Sequence, residues 1–159
     1  MIEIPNPQHH FARQKFRFAL VVEECHSFRN AVVNVLKTQD WFVHGILRAE
    51  QALHILAYIP YRLIVIDSEL PGISGIDFVR ILHNSREWQT IQLVVMTSSQ
   101  NVNLATELAE CGAFLVRKST WKDDLFSSLS SCDEESTEIP PNDRPSIPLT
   151  EFSDLVQNY

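Results

Sequence analysis

Glycine is scarce in this chain: Gly45, Gly72, Gly75 and Gly112 are the only four in 159 residues, and none belongs to a GxxxxGK[ST] or GxGxxG run. A nucleotide cradle built from glycine-loop amides is therefore excluded. Cysteine is also rare. Cys25, Cys111 and Cys132 are odd in number and lack CxxC spacing, which excludes a disulfide framework or zinc site and leaves buried free thiols as the expectation. The six histidines include His9-His10, but no i, i+4 helical pair with supporting acids. No apolar run approaches the roughly 18 residues a membrane span requires. The opening MIEIPNPQHHFARQKF places charges and prolines where a secretory signal has its apolar segment, so a cytoplasmic protein is expected. Basic residues form no stripe, only the small cluster Arg13, Lys15 and Arg17, which argues against nucleic-acid binding.

The net charge of −7 is concentrated at one end: residues 132–159 carry seven acids and one base. That stretch, acidic and rich in proline, is read as a linker-like tail, with LTEFSDLVQNY as a possible short helix capped by Thr150 and striped by Leu149, Phe152, Leu155 and Val156. The expected organisation is an N-terminal extension over 1–17, one domain over 18–131, and the tail over 132–159.

Within 18–131, four continuously apolar runs stand out: 18–22 (FALVV), 63–66 (LIVI), 93–96 (LVVM) and 113–116 (AFLV). Continuous apolarity rich in β-branched residues is what a parallel strand covered on both faces needs. A less uniform fifth run, WFVHGIL over 41–47, is expected at an edge. Between the runs lie helical stripes: Phe28, Ala31, Val32, Val35 and Leu36; Ala52, Leu53 and Leu56; Ile76, Val79 and Leu82; Val102, Ala105, Leu108 and Ala109. A last helix is expected near 121–130. Five alternations of strand and helix mean βαβ units, hence an α/β fold with a doubly wound five-stranded parallel sheet.

Ligands of such sheets sit at the carboxyl ends of the strands. The predicted ends carry Glu23-Glu24, Asp67, Thr97 and Lys118, so three carboxylates, a hydroxyl and an ammonium share one rim. An oxygen-rich cluster of this kind suits Mg²⁺. A carboxylate beside it can act as the nucleophile of phosphoryl transfer, while the hydroxyl and ammonium stabilise the phosphoryl oxygens. Asp67 stands directly after LIVI and before Pro71-Gly72, where a carboxylate is costly unless hydrogen-bonded, solvated or metal-bound. Trp88 and Trp121 are expected away from this rim.

ALVVEECHSFR, IDSELPGISG, VVMTSS and GAFLVRKS, in this order, resemble the receiver domain of two-component response regulators over roughly residues 18–131. The resemblance implies a flavodoxin-like (βα)5 fold with strand order 2-1-3-4-5, and a stand-alone, chemotaxis-regulator-like bacterial phosphoprotein. In that family pattern Asp67 is the phosphorylation site. Glu23, Glu24, Asp67 and the Glu69 carbonyl hold Mg²⁺, Thr97 and Lys118 bind the phosphoryl group, Pro71 and Gly75 shape the loop, and Phe114 is the candidate switch aromatic. The implied partners are a histidine kinase or histidine phosphotransfer protein, a downstream protein and a second copy of the chain. The implied role is a conformational signalling switch, not a turnover enzyme. Glu24 stands where the family usually has Asp, Ser119 where proline usually follows the lysine, and the Gly112 to Lys118 spacing is one residue short. Arg117 is thus an alternative to Lys118, and counting back from Lys118 gives Leu115 instead of Phe114. These departures motivate an alternative function, a degenerate, phosphorylation-independent interaction module. A haloacid-dehalogenase-type phosphohydrolase is a poor match: its motif needs a second Asp where Glu69 stands, and a nucleophile on the first strand.

Overall fold

The computed structural model of the protein describes residues 16–130. Cys132, Arg13, Lys15 and the acidic tail with its expected helix lie outside them. The chain alternates β1 (Arg17–Val22), α1 (His26–Lys37), β2 (Trp41–Ile46), α2 (Ala49–Leu56), β3 (Tyr61–Asp67), α3 (Gly75–His83), β4 (Gln92–Thr97), α4 (Asn103–Glu110), β5 (Ala113–Arg117) and α5 (Trp121–Leu129), with one 3-10 turn, Arg86–Trp88, before β4. All strand pairs are parallel, and the sheet order is β2-β1-β3-β4-β5. The WFVHGI strand takes the edge, as its mixed polarity predicts.

Side chains of a strand alternate between faces, and here the alternation sorts the core into two layers. Leu20, Val22, Ile64, Ile66, Leu93 and Val95 pack with α2, α3 and α4 through Leu56, Phe78, Leu82 and Leu108. Ala19, Val21, Leu63, Val65, Val94 and Met96 pack with α1 and α5 through Val32, Leu36 and Leu125. Every residue of the LIVI run is buried. Each contributes about 1.5–3 kcal/mol by leaving water, so β3 is anchored along its length before the chain reaches Asp67.

Two expectations are corrected here. On α4 the buried residues are Leu104 and Leu108, whereas Ala105 and Ala109 are exposed and Val102, just before the helix, is 77% exposed. Two leucines outcompete alanines for the core because they remove more apolar area from water. The thiols also differ from expectation. Cys25 is exposed and Cys111 only partly buried; Cys25 stands at the N-cap position of α1 on the solvated rim, where the Ser27 hydroxyl and the Phe28 amide hold its thiol pKa below the ordinary value.

Candidate functional site

The strand-end residues divide between the two faces of the sheet. Strand parity puts Glu23 and Asp67 on the α1–α5 side, in phase with Val21 and Val65, and Ser68 and Thr97 on the opposite side, in phase with Ile66 and Val95.

On the first side the Lys118 ammonium lies 2.9 Å from Asp67 Oδ2 and 2.8 Å from Glu23 Oε2. Glu23 is 4% exposed and Asp67 7%. The remaining oxygens are also engaged: Cys25 N donates to Glu23 Oε1 at 2.9 Å, and Glu69 N donates to Asp67 Oδ1 at 3.2 Å. Lys118 also stands over the Phe28 ring, 5.1 Å from its centroid. Burial alone would pull the Lys118 pKa down; hydrogen bonds to Asp67 and Glu23 and their negative charges outweigh it and hold the group above the ordinary 10.5.

On the second side the Thr97 hydroxyl accepts from Ser68 Oγ at 2.9 Å and from Ser99 N at 3.0 Å. The backbone ties both sides together: Ser68 N donates to Met96 O and Lys118 N to Thr97 O. Arg117, from β5, donates to the Ser99 carbonyl at 3.2 Å and does not take the lysine's place. The short Gly112 to Lys118 spacing therefore still brings Lys118 to Asp67.

The loop after Asp67 is held from several directions. Gly72 sits at φ 77° in the left-handed region, and a Cβ on Gly75 would run into the Asp67 carbonyl oxygen, so Gly75 allows α3 to start against the strand end. Ser74 caps α3 by accepting from Asp77 N at 3.1 Å. Glu50, from α2, accepts from Ile73 N at 2.9 Å. Pro71 is half-buried within this turn.

Glu24 is exposed and Glu69 likewise, so the structure joins Glu23, Asp67 and Lys118 but leaves the Glu24 carboxylate apart. Phe114 is corrected by parity: it is in phase with Val116 on the α1–α5 face and is 45% exposed, whereas Leu115 packs against the α2–α3–α4 core on the same side as Thr97. Leu115, not Phe114, holds the place beside α4. Trp121 is another correction. Its ring meets Phe28 edge-on at 5.6 Å, and Phe28 lies under Lys118, so Trp121 is one ring away from the ion cluster. Sequence reasoning assigned no role to Ser68 or Glu50. Ser68 was traceable as the residue next to Asp67; Glu50, 23 residues from its partner, had no local signal.

Among the described residues no group of three or more His, Cys, Asp or Glu stands together as a metal-holding set. Yet the buried carboxylates of Glu23 and Asp67 face a single ammonium, and their hard oxygens with an uncompensated negative charge suit a small dication.

A parallel sheet of order 2-1-3-4-5, wound on both faces and carrying charged groups at its carboxyl rim, defines a flavodoxin-like α/β domain. Within that class the chain belongs to the response regulator receiver domain family, whose model matches residues 19–130. Solved structures agree on the fold. The chemotaxis response regulator CheY4 of Vibrio cholerae is 19% identical, with a TM-score of 0.65 over 73% of this chain and 98% of that one. A response regulator receiver protein from Pseudomonas putida is 23% identical, with a TM-score of 0.65 over 73% and 97%. A CheY-like receiver domain from Methylobacillus flagellatus is 23% identical, with a TM-score of 0.60 over 71% and 98%. No curated protein matches the chain. Among the described residues no helix is long and apolar enough to cross a membrane.

Proposed function

We propose that the protein is a phosphorylation-controlled receiver whose acceptor is Asp67. The observation that carries this reading is the pairing of a nearly buried, strand-terminal carboxylate with Lys118 at 2.9 Å, behind a loop that Gly75 lets pack closely. An Asp67 oxygen attacks the phosphorus of a phosphohistidine on a histidine kinase or phosphotransfer protein. The new O–P bond forms as the P–N bond breaks, and the electron pair leaves with the imidazole, which takes up a proton. Lys118, already held between two carboxylates, supplies positive charge next to the oxygens that gain negative charge. Glu23, with one oxygen on the Cys25 amide and the other on Lys118, orients that ammonium. Asp67, Glu23 and the Glu69 carbonyl would hold Mg²⁺, with the Glu24 carboxylate joining them by turning in from its exposed position; when bound, the ion would neutralise phosphoryl oxygens and draw the donor in.

The output is conformational. A phosphoryl oxygen offers Thr97 a charged acceptor on the other side of the strand end, and a changed Thr97 repacks β4 and β5 against α4. Solvent-exposed Val102 beside α4 and Phe114 on β5 provide apolar contacts for a downstream protein or a second copy. The protein acts as a switch, with the donor supplying the phosphoryl group, in the bacterial cytoplasm.

Incubation with Mg²⁺ and acetyl phosphate tests the reading. Intact mass rises by one phosphoryl group in the native protein and not in Asp67→Asn. No gain, or an equal gain in the variant, refutes it. The reading as a phosphorylation-independent module draws no support from the fifth-strand spacing, since Lys118 reaches Asp67 despite it.

A further inference from the structure

The Ser68–Thr97 hydroxyl pair is the least expected feature of the rim. Ser68 is 4% exposed and Thr97 1%. The Ser68 backbone cannot follow Thr97 if Thr97 moves, because it is pinned twice: its amide donates to Met96 O at 2.8 Å, and its carbonyl accepts from Gly75 N at 3.2 Å. The Thr97 backbone is pinned as well, its carbonyl accepting from Lys118 N at 2.9 Å. Rotation about χ1 is the freedom that remains to Thr97, and a β-branched side chain has few wells to occupy. A hydroxyl carries two lone pairs and one proton. Ser68 and Ser99 N occupy both lone pairs, so in this arrangement Thr97 has only its proton left to offer.

We infer that Ser68 is a positioning residue that holds Thr97 in its resting rotamer and thereby sets the threshold of the switch. This deepens, and rests on, the reading of Asp67 as phosphoacceptor. When Thr97 turns toward a phosphoryl oxygen, the Ser68 hydroxyl loses its partner inside a buried site, and an unsatisfied buried hydroxyl opposes the turn. The resting state is favoured by that amount. Removing the hydroxyl lifts the opposition, and the loss of one ordinary hydrogen bond corresponds to about a three- to tenfold shift in the equilibrium.

The test uses the full chain and two independent readouts. The first needs no phosphoryl group: three-bond couplings to the Thr97 methyl carbon report χ1. A single rotamer is expected in the native protein and in Ser68→Thr, which keeps the hydroxyl, and an averaged value in Ser68→Ala. The second is titration with beryllium fluoride and Mg²⁺ as a phosphoryl analogue. Ser68→Ala is expected to bind about three- to tenfold more tightly, and the gain is expected to vanish in a Thr97→Ala background. An unchanged Thr97 coupling in Ser68→Ala overturns the inference. So does an unchanged or weakened affinity, or a gain that persists without Thr97. If the native protein takes up no beryllium fluoride, the phosphoacceptor reading falls and the threshold role with it, while the couplings still decide whether Ser68 holds Thr97.

Discussion

Replacing Lys118 by Met keeps most of the aliphatic stem and removes the charge between Glu23 and Asp67. At 2.8 Å and 2.9 Å each attraction is about 6 kcal/mol at an effective dielectric constant of 20, but desolvation offsets much of it. Deleting one partner of a buried pair costs about 3–5 kcal/mol. The Lys118 side chain is 21% exposed, and solvent screening lowers the expectation to about 2–3 kcal/mol. For a domain of this size about 4 °C accompanies each kcal/mol, so the midpoint should fall by about 8–12 °C. The assay is urea and thermal unfolding at neutral pH, followed by tryptophan fluorescence. Added Mg²⁺ should narrow the gap between the two proteins, because a dication takes over neutralisation of the two carboxylates. A Lys118→Met protein with native stability would refute the view that the ammonium is what makes this pair tolerable. A gap that Mg²⁺ leaves untouched would refute the assignment of those carboxylates to a cation site.

Other perturbations follow from the same geometry. The raised Lys118 pKa means that its contribution to stability is complete below the unfolded value of 10.5 and is lost as pH climbs through the higher folded value; alkaline unfolding curves should show this step in the native protein and lack it in Lys118→Met. Gly75→Ala forces a methyl group onto the Asp67 carbonyl and should cost about 1–3 kcal/mol or more in urea unfolding; native stability would contradict the close approach. Because Trp121 contacts Phe28 under Lys118, its fluorescence should change on Mg²⁺ binding in a background where Trp41 and Trp88 are both replaced by Phe, and a flat titration counts against that path. Glu24→Asp should tighten Mg²⁺ binding in the same titration, since octahedral Mg²⁺ tolerates little misplacement; unchanged binding would contradict a ligand role for Glu24.

The sheet was legible because its strands are buried on both faces, so that LIVI and LVVM announce themselves without alternation, and because strand ends of a parallel sheet must share a rim. Asp67 and Lys118 could be brought together on that logic alone. The division of the rim between the two faces is implicit in strand parity, yet it emerges only with exact strand ends and register. The α4 face departs from its sequence pattern for a comparable reason: Val102, Ala105, Leu108 and Ala109 make a fair helical stripe, but Leu104 and Leu108 are the residues buried, and small rotations of a short helix decide between the two. The fifth-strand irregularity misled in another way. Counting residues from Gly112 to Lys118 says little about where a long, flexible lysine side chain ends, and Lys118 reaches Asp67 from just beyond the strand. Long-range loop contacts such as Glu50 to Ile73 leave no trace in local pattern.

The identity of the acceptor is open to direct chemical reading. After treatment with acetyl phosphate and Mg²⁺, borohydride reduces an aspartyl phosphate to homoserine, and peptide mass spectrometry locates the converted residue. Conversion at Asp67 is the predicted result; conversion at another carboxylate, or at none while a phosphoryl group is demonstrably bound, contradicts the proposed site.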